Sequence, residues 1–283
     1  MPGPTAIDLR AMTEADLPAA LGLSRQERWP HRLEDWRFLL ARGAGVVAER
    51  GGALVGTAMG MPDDGDGATI GMVIVAPDCQ GAGLGRRLME AVMGGLGSRR
   101  LQLVATEAGL PLYRKLGFVR IGAVDQQQGV VTAVPGAELW PEEALRAVGP
   151  ADEPVLAALD RAATGFSRES LLGALRHAGR GVILERAGQP TGFAFLRPFG
   201  LGDAIGPVVA GNERTARLLV SHLLAANRGK FTRLDASSDM GLSAWLAGAG
   251  LARVNGGTVM ATGLARARDA AVGYFALVSQ ALG

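Results

Sequence analysis

The stretch from Val73 to Met93 constrains the fold more than any other part of the sequence. Val73-Ile74-Val75 is a β-branched run of the kind found in buried strands. From Leu84 to Met93, apolar residues recur at helical spacing, with charged residues between them. A glycine-rich turn joins the two pieces, so the sequence predicts a strand that passes through a loop directly into a helix N-terminus.

The glycines of this turn predict an anion-binding site. Gly81, Gly83 and Gly85 carry no Cβ, so a ligand can approach their N–H groups closely. The first turn of the following helix leaves its own N–H groups unpaired, and the helix dipole adds partial positive charge there. Arg86 contributes a full positive charge nearby. This combination suits a pyrophosphate group.

The loop Gln80-Gly81-Ala82-Gly83-Leu84-Gly85 resembles the Q/R-x-x-G-x-G/A signature of the GNAT superfamily, the acetyl-CoA-dependent N-acetyltransferases. A dinucleotide-binding loop has a different glycine spacing, and a Walker A loop needs a Gly-Lys-Ser/Thr that is absent. An ordinary strand–turn–helix with glycines for packing is the remaining alternative. The resemblance implies acetyl-CoA as cosubstrate, with strand backbone pairing along its pantetheine arm. The implied cofactor-binding residues are Val73, Val75, Gln80, Gly81, Ala82, Gly83, Leu84, Gly85 and Arg86.

A second segment, Leu112-Tyr113-Arg114-Lys115-Leu116-Gly117-Phe118, resembles the L-Y-x-K-L-G-F segment of the same family. Gly117 is a suitable residue to follow a helix C-terminus. In the family the tyrosine hydroxyl often lies beside the acetyl-CoA sulfur, which implies that Tyr113 protonates the leaving thiolate. The alternative is a half-buried aromatic residue at a helix end. Thr106 stands where the family frequently has Asn, so one cofactor contact is left without a counterpart.

Length and composition limit the class of protein. The chain has 283 residues, enough for two domains, and 48% of them are apolar. The net charge of +2 gives no strong field for a nucleic acid. A single cysteine, Cys79, fits a reducing compartment. No apolar run is long enough to span a bilayer, and the N-terminus does not resemble a signal peptide. We therefore expect a cytoplasmic monomer or homodimer without nucleic-acid or membrane partners, and no bound metal.

The pattern of the first half recurs in the second. Val182–Gly188 echoes residues 45–51, and Gly250–Arg253 echoes residues 117–120, with four further echoes in the same order. We therefore expect an α/β protein with mixed α+β sheets and two tandem GNAT-like domains. The expected boundaries are 1–134 for the catalytic domain binding acetyl-CoA, 135–141 for a linker, and 142–283 for a degenerate GNAT-like domain.

The second copy is degenerate at the positions that carry chemistry in the first. After Val209 the alternating glycines are missing, and Asn212 has the properties of an ordinary helix N-cap. Leu246 stands at the position that corresponds to Tyr113. The chain then ends in an apolar stretch, residues 265–282, for which we expect a closing helix. For the end of the first domain we expect two strands, at residues 118–124 and 130–134.

Fewer sequence features indicate the acceptor site than indicate the acetyl-CoA site. In the resembling family a helix pair, here residues 14–24 and 33–42, borders that site. Trp29, His31 and Trp36 are therefore candidate substrate contacts, with helix packing or a structural role as the alternative. The degenerate half is expected to close the acceptor pocket and to contribute Asp160 and Arg168, whose alternative role is helix capping at the surface.

These observations favour an acetyl-CoA-dependent transferase acting on a primary amine of a small molecule or a protein. The strand before the glycine loop carries no acid where many relatives have Glu. Direct attack by the neutral amine, with its protons lost to water, is the expected route, and Asp63, Asp64 and Glu107 are weaker candidates for a base. A non-catalytic acyl-CoA sensor or a protein-interaction module are the alternatives. The intact loop together with Tyr113 favours the enzyme.

Overall fold

The computed structural model describes residues 6–136, 138–263 and 267–283. In the first half a 3-10 turn at Glu14–Asp16 precedes the first helix. The helices and strands of this half are β1 (Ile7–Ala11), α1 (Leu17–Gln26), α2 (Leu33–Leu40), β2 (Ala44–Arg50), β3 (Ala53–Pro62), β4 (Gly67–Val75), α3 (Leu84–Leu96), β5 (Arg100–Ala105), α4 (Leu110–Lys115) and β6 (Val119–Val130).

The second half repeats this order and adds one strand. Its elements are β7 (Glu143–Ala147), α5 (Glu153–Thr164), α6 (Glu169–Ala178), β8 (Arg180–Arg186), β9 (Gln189–Phe199), β10 (Gly202–Ala210), α7 (Glu213–Ala226), β11 (Phe231–Ser237), α8 (Leu242–Gly248), β12 (Ala252–Ala261) and β13 (Gly273–Ala276). The two copies are therefore present as predicted, and β13 has no counterpart in the first copy.

The repeat extends to individual side chains. Arg10 donates two hydrogen bonds of 2.8 and 2.7 Å to the carboxylate of Asp16, and Arg146 donates two of 2.7 Å to Asp152. Each carboxylate also accepts the backbone N–H that precedes its helix, from Thr13 in the first copy and Gly149 in the second. These pairs fix the chain as it turns from the first strand of each copy into its first helix.

The described strands form one mixed sheet of thirteen, in the order β1-β2-β3-β4-β5-β12-β6-β11-β13-β10-β9-β8-β7. Strand β12 of the second half lies between β5 and β6 of the first, and β6 in turn pairs with β11. The two copies have thus exchanged strands at the centre of the sheet. One hydrophobic cluster accordingly contains core residues of both halves, including Met59, Trp36, Phe193 and Val278.

Two expectations about individual elements are wrong. The predicted strands at residues 118–124 and 130–134 are replaced by one continuous strand, β6, which ends at Val130 and pairs along its length with β12 and β11; residues 131–134 are not in a strand. The predicted closing helix is a short strand, β13, followed by a turn. Residues 264–266 lie outside the described part of the chain. Strands β10 and β11 diverge and leave two edges without a neighbour. The apolar segment Gly273–Ala276 pairs with both edges and is therefore stabilised as a strand.

Candidate active site

The site is organised by the divergence of two parallel strands. Strand β4 pairs with β5 over only Gly67–Ile70. Beyond that point a bulge displaces β4: the pairing register with β3 shifts, Met72 adopts a left-handed φ of 54°, and its carbonyl accepts a 2.7 Å hydrogen bond from the Thr57 hydroxyl. Val73 and Val75 therefore lie in the part of β4 that has separated from β5. Their backbone faces an opening between β4 and β5 into which an extended ligand arm can add as a strand would.

The glycine loop has the conformation that an anion site needs. Gly81 and Gly83 have left-handed φ angles of 79° and 80°, and a Cβ on either would point into open space. Gly83 is the N-cap of α3 and offers no side chain to cap it, so the N–H groups of the first turn are free for a ligand. Gln80 donates a 3.0 Å hydrogen bond to the carbonyl of Val75 and so ties the loop to the end of β4.

The other residues of the loop differ in what they can offer. Gly85 lies in the first turn of α3, where a Cβ would be 3.4 Å from Leu112 and 3.8 Å from Val75. The Leu84 side chain is buried in the core, so only its backbone can bind a ligand, whereas Ala82 is exposed. Arg86 is exposed and pairs at 3.3 Å with Glu90 one turn later. The open loop, the uncapped helix and this cation fit a pyrophosphate.

Tyr113 lies on α4, next to the point where α3 and β4 meet. Its ring is 8% exposed and stacks edge-on against Phe118, with ring centroids 6.1 Å apart. Gly109, one helical turn earlier, leaves the space that the ring occupies. Burial raises the pKa of Tyr113 to about 12, so the hydroxyl keeps its proton at neutral pH. No residue in the described part of the chain hydrogen-bonds to this hydroxyl.

The three aromatic candidates lie together where the α1–α2 loop meets the second half. Trp36 is fully buried, with its indole N–H 3.4 Å from the Ser24 hydroxyl, and Trp29 is partly buried. His31 lies between them and packs against the edge of Phe199, with ring centroids 5.4 Å apart. Burial lowers the pKa of His31 to about 4, so the imidazole is neutral at pH 7. This junction is mainly an aromatic packing contact between the halves.

Asp160 and Arg168 form a buried ion pair, with N–O distances of 2.8 and 2.6 Å. Arg168 also donates to the Tyr274 hydroxyl at 3.1 Å and to the Gly283 carbonyl at 3.2 Å. Its side chain borders a cavity of about 360 Å³ between the halves. Asp160 lies behind it, completely buried. The pair thus holds the C-terminal residues in place and brings one guanidinium to the cavity.

The corresponding opening in the second half is filled by the chain itself. Strands β10 and β11 pair over Asp203 and Ala204 and then diverge, as β4 and β5 do. Strand β13 lies in the gap and pairs with both. The Asn212 side chain accepts a 2.9 Å hydrogen bond from the Thr215 N–H and caps α7 as predicted. Leu246 is fully buried. The second copy therefore has neither an open slot between its diverging strands nor an uncapped N-terminus at α7, the helix that corresponds to α3.

Two residues of the site were not identified from the sequence. Gly109 precedes Tyr113 by four residues. This helical spacing places the two residues on the same face, so a contact between Gly109 and the tyrosine ring could have been predicted. Arg42 lies on the wall of the cavity, but its significance depends on which side chains surround it, and that has no sequence signature.

Among the described residues, no group of His, Cys, Asp and Glu is arranged to hold a metal ion, and no helix is long and apolar enough to cross a membrane.

Comparison with known proteins places both halves in one family. Two family models match the chain, at residues 41–120 and 156–274, and each is described as an acetyltransferase (GNAT) domain. The chain is 28% identical over 236 residues to the uncharacterized N-acetyltransferase YitH of Bacillus subtilis strain 168, covering 82% of this chain and 83% of that protein.

Solved structures share the fold over nearly the whole chain. A putative acetyltransferase from Pyrococcus horikoshii matches with a TM-score of 0.78 and 19% identity, over 98% of this chain and 96% of that one. A tandem GNAT protein from the clavulanic acid biosynthesis pathway matches with a TM-score of 0.65 and 15% identity, over 91% and 98%. At these identities the likeness is one of fold.

Proposed function

Because this chain belongs to the GNAT acetyltransferases, with one GNAT domain in each half, we propose that it transfers an acetyl group from acetyl-CoA to a primary amine. One observation carries the proposal. At Gly85 the start of α3, the end of β4 and the Leu112 side chain of α4 come within van der Waals contact distance of a Cβ position. Tyr113 is the next residue of α4, which supports a common ligand for the glycine loop and the tyrosine.

Each part of this site has a defined task in the proposal. The N–H groups of the loop from Gly81 to Gly85, with Arg86, bind the pyrophosphate. The backbone of Val73 and Val75 pairs with the pantetheine arm. Bound acetyl-CoA supplies the thioester carbonyl that the amine attacks. These contacts direct the acetyl group toward the bulge of β4 at Met72, where the acceptor has to arrive.

Tyr113 acts as the general acid. As the carbon–sulfur bond breaks, the proton on the Tyr113 hydroxyl passes to the sulfur, and water restores it. The Tyr113 hydroxyl, whose pKa burial raises to about 12, is protonated at neutral pH but is a weaker acid than an ordinary tyrosine, so the transfer takes place only as negative charge builds up on the sulfur. The acceptor amine attacks in its neutral form and loses its extra proton to water, since the β4 segment before the loop carries no acid.

We further propose one acetyl-CoA site per chain, in the domain of residues 1–134. The filled gap at β13, the capped helix at Asn212 and the buried Leu246 support this assignment. The second domain, residues 142–283, then serves as scaffold and as one wall of the acceptor pocket.

The proposal is tested by incubating the protein with acetyl-CoA and a set of primary amines while free thiol is measured. Thiol release that depends on an amine, with the acetylated amine identified by mass, supports the transferase. Acetyl-CoA binding without release for any amine would instead favour an acyl-CoA sensor.

A further inference from the structure

A turn near the end of the chain, residues 280–282, lies on the face of the sheet opposite α3. Gly60 of β3 pairs with Ile70 of β4, and a Cβ on Gly60 would touch α3. Successive residues of a strand point to opposite faces, so Gly71 points away from α3. A Cβ on Gly71 would lie 2.8 Å from Cβ of Ala281. The turn therefore covers β4 on this face immediately before the bulge.

Gln280 begins this turn and connects it to the centre of the sheet. Its Nε2 donates to Oδ1 of Asp235 on β11 at 3.1 Å and to Oε1 of Gln126 on β6 at 3.3 Å. Its Oε1 lies 3.7 Å from the position that a Cβ of Gly257 on β12 would occupy, next to the end of β5. The turn thus reaches from β4 to β12 and borders the opening between β4 and β5.

Gln280, Gln126 and Gln128 form an amide row in which the hydrogen bonds fix the direction of each side chain. A carboxylate only accepts, so Gln280 must present its NH2 group to Asp235 and turn its oxygen away. Gln126 then offers its oxygen to Gln280 and donates from its NH2 group to Oε1 of Gln128 at 2.8 Å. No described residue donates to Oε1 of Gln280 or accepts from Nε2 of Gln128, and neither atom is buried. The row therefore ends in an open acceptor beside β5 and an open donor at Gln128.

The amide row is itself uncharged. Asp235, the carboxylate that it contacts, is paired with Arg233 at 2.9 Å. Arg197 of β9 is a further cation near this pair, and it donates to two backbone carbonyls at 3.4 Å. On the α1–α2 loop, His31 lies near the same pair and is neutral at pH 7, because burial lowers its pKa to about 4. The groups that the row offers to a ligand are thus neutral amides, which suit a neutral polar partner.

We propose that the amide row is the subsite for the acceptor, and that it takes a primary amine which also carries a neutral oxygen group, a carbonyl or a hydroxyl. The inference rests on the proposed acetyl transfer. The amine lies at Gln280, beside the opening between β4 and β5. The oxygen group lies at Gln128, whose NH2 group donates to it.

Gln280 contacts the reacting nitrogen. Its Oε1 accepts one N–H of the neutral amine, which leaves the nitrogen lone pair free to attack the thioester. As the nitrogen–carbon bond forms and the carbon–sulfur bond breaks, the nitrogen gains positive charge and the hydrogen bond to Gln280 strengthens. An amide oxygen is too weak a base to keep the surplus proton, so the proton passes to water.

The amine end is tested with Gln280→Met, which keeps the length of the side chain and removes its oxygen. With n-pentylamine and 5-aminopentanamide as acceptors, kcat/KM should fall about tenfold or more, because the lost hydrogen bond is to a nitrogen that becomes charged. The KM for acetyl-CoA should not change. Gln127→Met is the matched control, because Gln127 lies between Gln126 and Gln128 on β6 but is buried, with neither amide atom hydrogen-bonded. This variant should match the wild type.

The oxygen end is tested by comparing ω-amino amides of four to six carbons with alkylamines of the same length. The wild-type kcat/KM should be about three- to tenfold higher for the best amide than for its alkylamine, as for one neutral hydrogen bond. Gln128→Met should remove this preference and leave the rate with the alkylamine unchanged.

Unchanged kinetics in Gln280→Met, or an equal loss in Gln127→Met, overturns the role of Gln280. An amide preference that is absent from the wild type or persists in Gln128→Met overturns the oxygen end. If Gln280→Met does not fold, Gln280→Asn, which draws the amide back by one methylene, is judged by the same kinetics.

If the wild type acetylates no amine, the proposed function fails. Calorimetric titration with 5-aminopentanamide then decides the subsite separately. Binding that is weakened by Gln280→Met and kept in Gln127→Met upholds it, and absence of binding refutes it.

Discussion

A Cβ atom on Gly109 would lie 2.6 Å from Cε2 of Tyr113, so the tyrosine ring occupies space that only a glycine one turn earlier leaves free. This contact fixes the direction of the ring and, with it, the position of the hydroxyl. Removing the hydroxyl and displacing the ring are therefore two independent ways to test the proposed general acid.

Tyr113→Phe should lower kcat and leave acetyl-CoA affinity nearly unchanged, because the hydroxyl acts mainly in the transition state. A positioned general acid contributes roughly 10²–10⁴-fold, and we expect the low end because thiols are good leaving groups. Steady-state kinetics with a matched thermal melt measures this. If kcat is unchanged and only the melting temperature moves, Tyr113 is a packing residue and the sensor interpretation gains support.

Gly109→Ala should displace the tyrosine ring and reduce kcat toward the value of Tyr113→Phe. Overpacking of this kind costs about 1–3 kcal/mol of stability, so kinetics are measured well below the melting temperature. The double variant should be no slower than Tyr113→Phe, since both changes act through one hydroxyl. Fully additive losses in this cycle would show that Gly109 affects the reaction by another route.

Calorimetry should find one acetyl-CoA per chain, and Gly83→Val should abolish that binding by blocking approach to the loop backbone. The left-handed backbone of Gly83 adds a strain of about 1–2 kcal/mol. Gly188→Val is the matched control, because Gly188 also has a left-handed φ, 74°, and open space at its Cβ, but lies in a turn of the second half.

A stoichiometry of two would contradict the assignment of the second half as degenerate. Equal loss of binding in both glycine variants would mean that backbone strain is responsible and the loop is not. Loss in Gly83→Val alone is the result that the proposed pyrophosphate site requires.

A fragment of residues 1–134 should be inactive or insoluble. Both described neighbours of β6, namely β11 and β12, belong to the second half, so the fragment exposes unpaired edges at β5 and β6. Co-expression with the remaining residues should restore a soluble complex. A fragment that alone acetylates the same amine at a comparable rate would show that β6 can pair with β5 directly and that the second half forms no part of the acceptor pocket.

The buried imidazole of His31 should make stability depend on pH. Burial lowers its pKa to about 4, below the usual 6.5, so the folded state holds the neutral form. The unfolded chain binds a proton near pH 6.5 and the folded chain does not, so stability is fully present above that pH and falls as the pH drops toward 4. The expected loss is up to about 3 kcal/mol.

Chemical denaturation between pH 4 and 8, compared with His31→Phe, measures this contribution. The variant keeps the ring packing against Phe199 and cannot take up a proton. Carboxylates add their own pH dependence to both proteins, so the difference between the two curves is the relevant quantity. Parallel curves would mean that His31 titrates alike in the folded and unfolded chains.

The sequence by itself determined the parts whose physics is local. A β-branched run, alternating glycines and an amphipathic run can form a strand, a glycine turn and a helix without help from distant residues, so β4, the loop at Gly81–Gly85 and α3 were all predicted. The repeat could also be detected in the sequence, because both copies bury apolar residues in the same pattern. The N-cap at Asn212 was predicted for the same reason, since capping depends on neighbours within one turn.

Only the tertiary structure decided which strands are neighbours and which charges have partners. The exchange of β6 and β12 and the insertion of β13 depend on sheet edges that meet across long sequence separations, and an apolar segment does not specify its partner. Likewise Arg168 and Arg42 look alike as sequence positions. The fold brings the buried carboxylate of Asp160 within ion-pair distance of Arg168, whereas no described carboxylate lies within that distance of Arg42, although Asp63 and Asp64 line the same cavity.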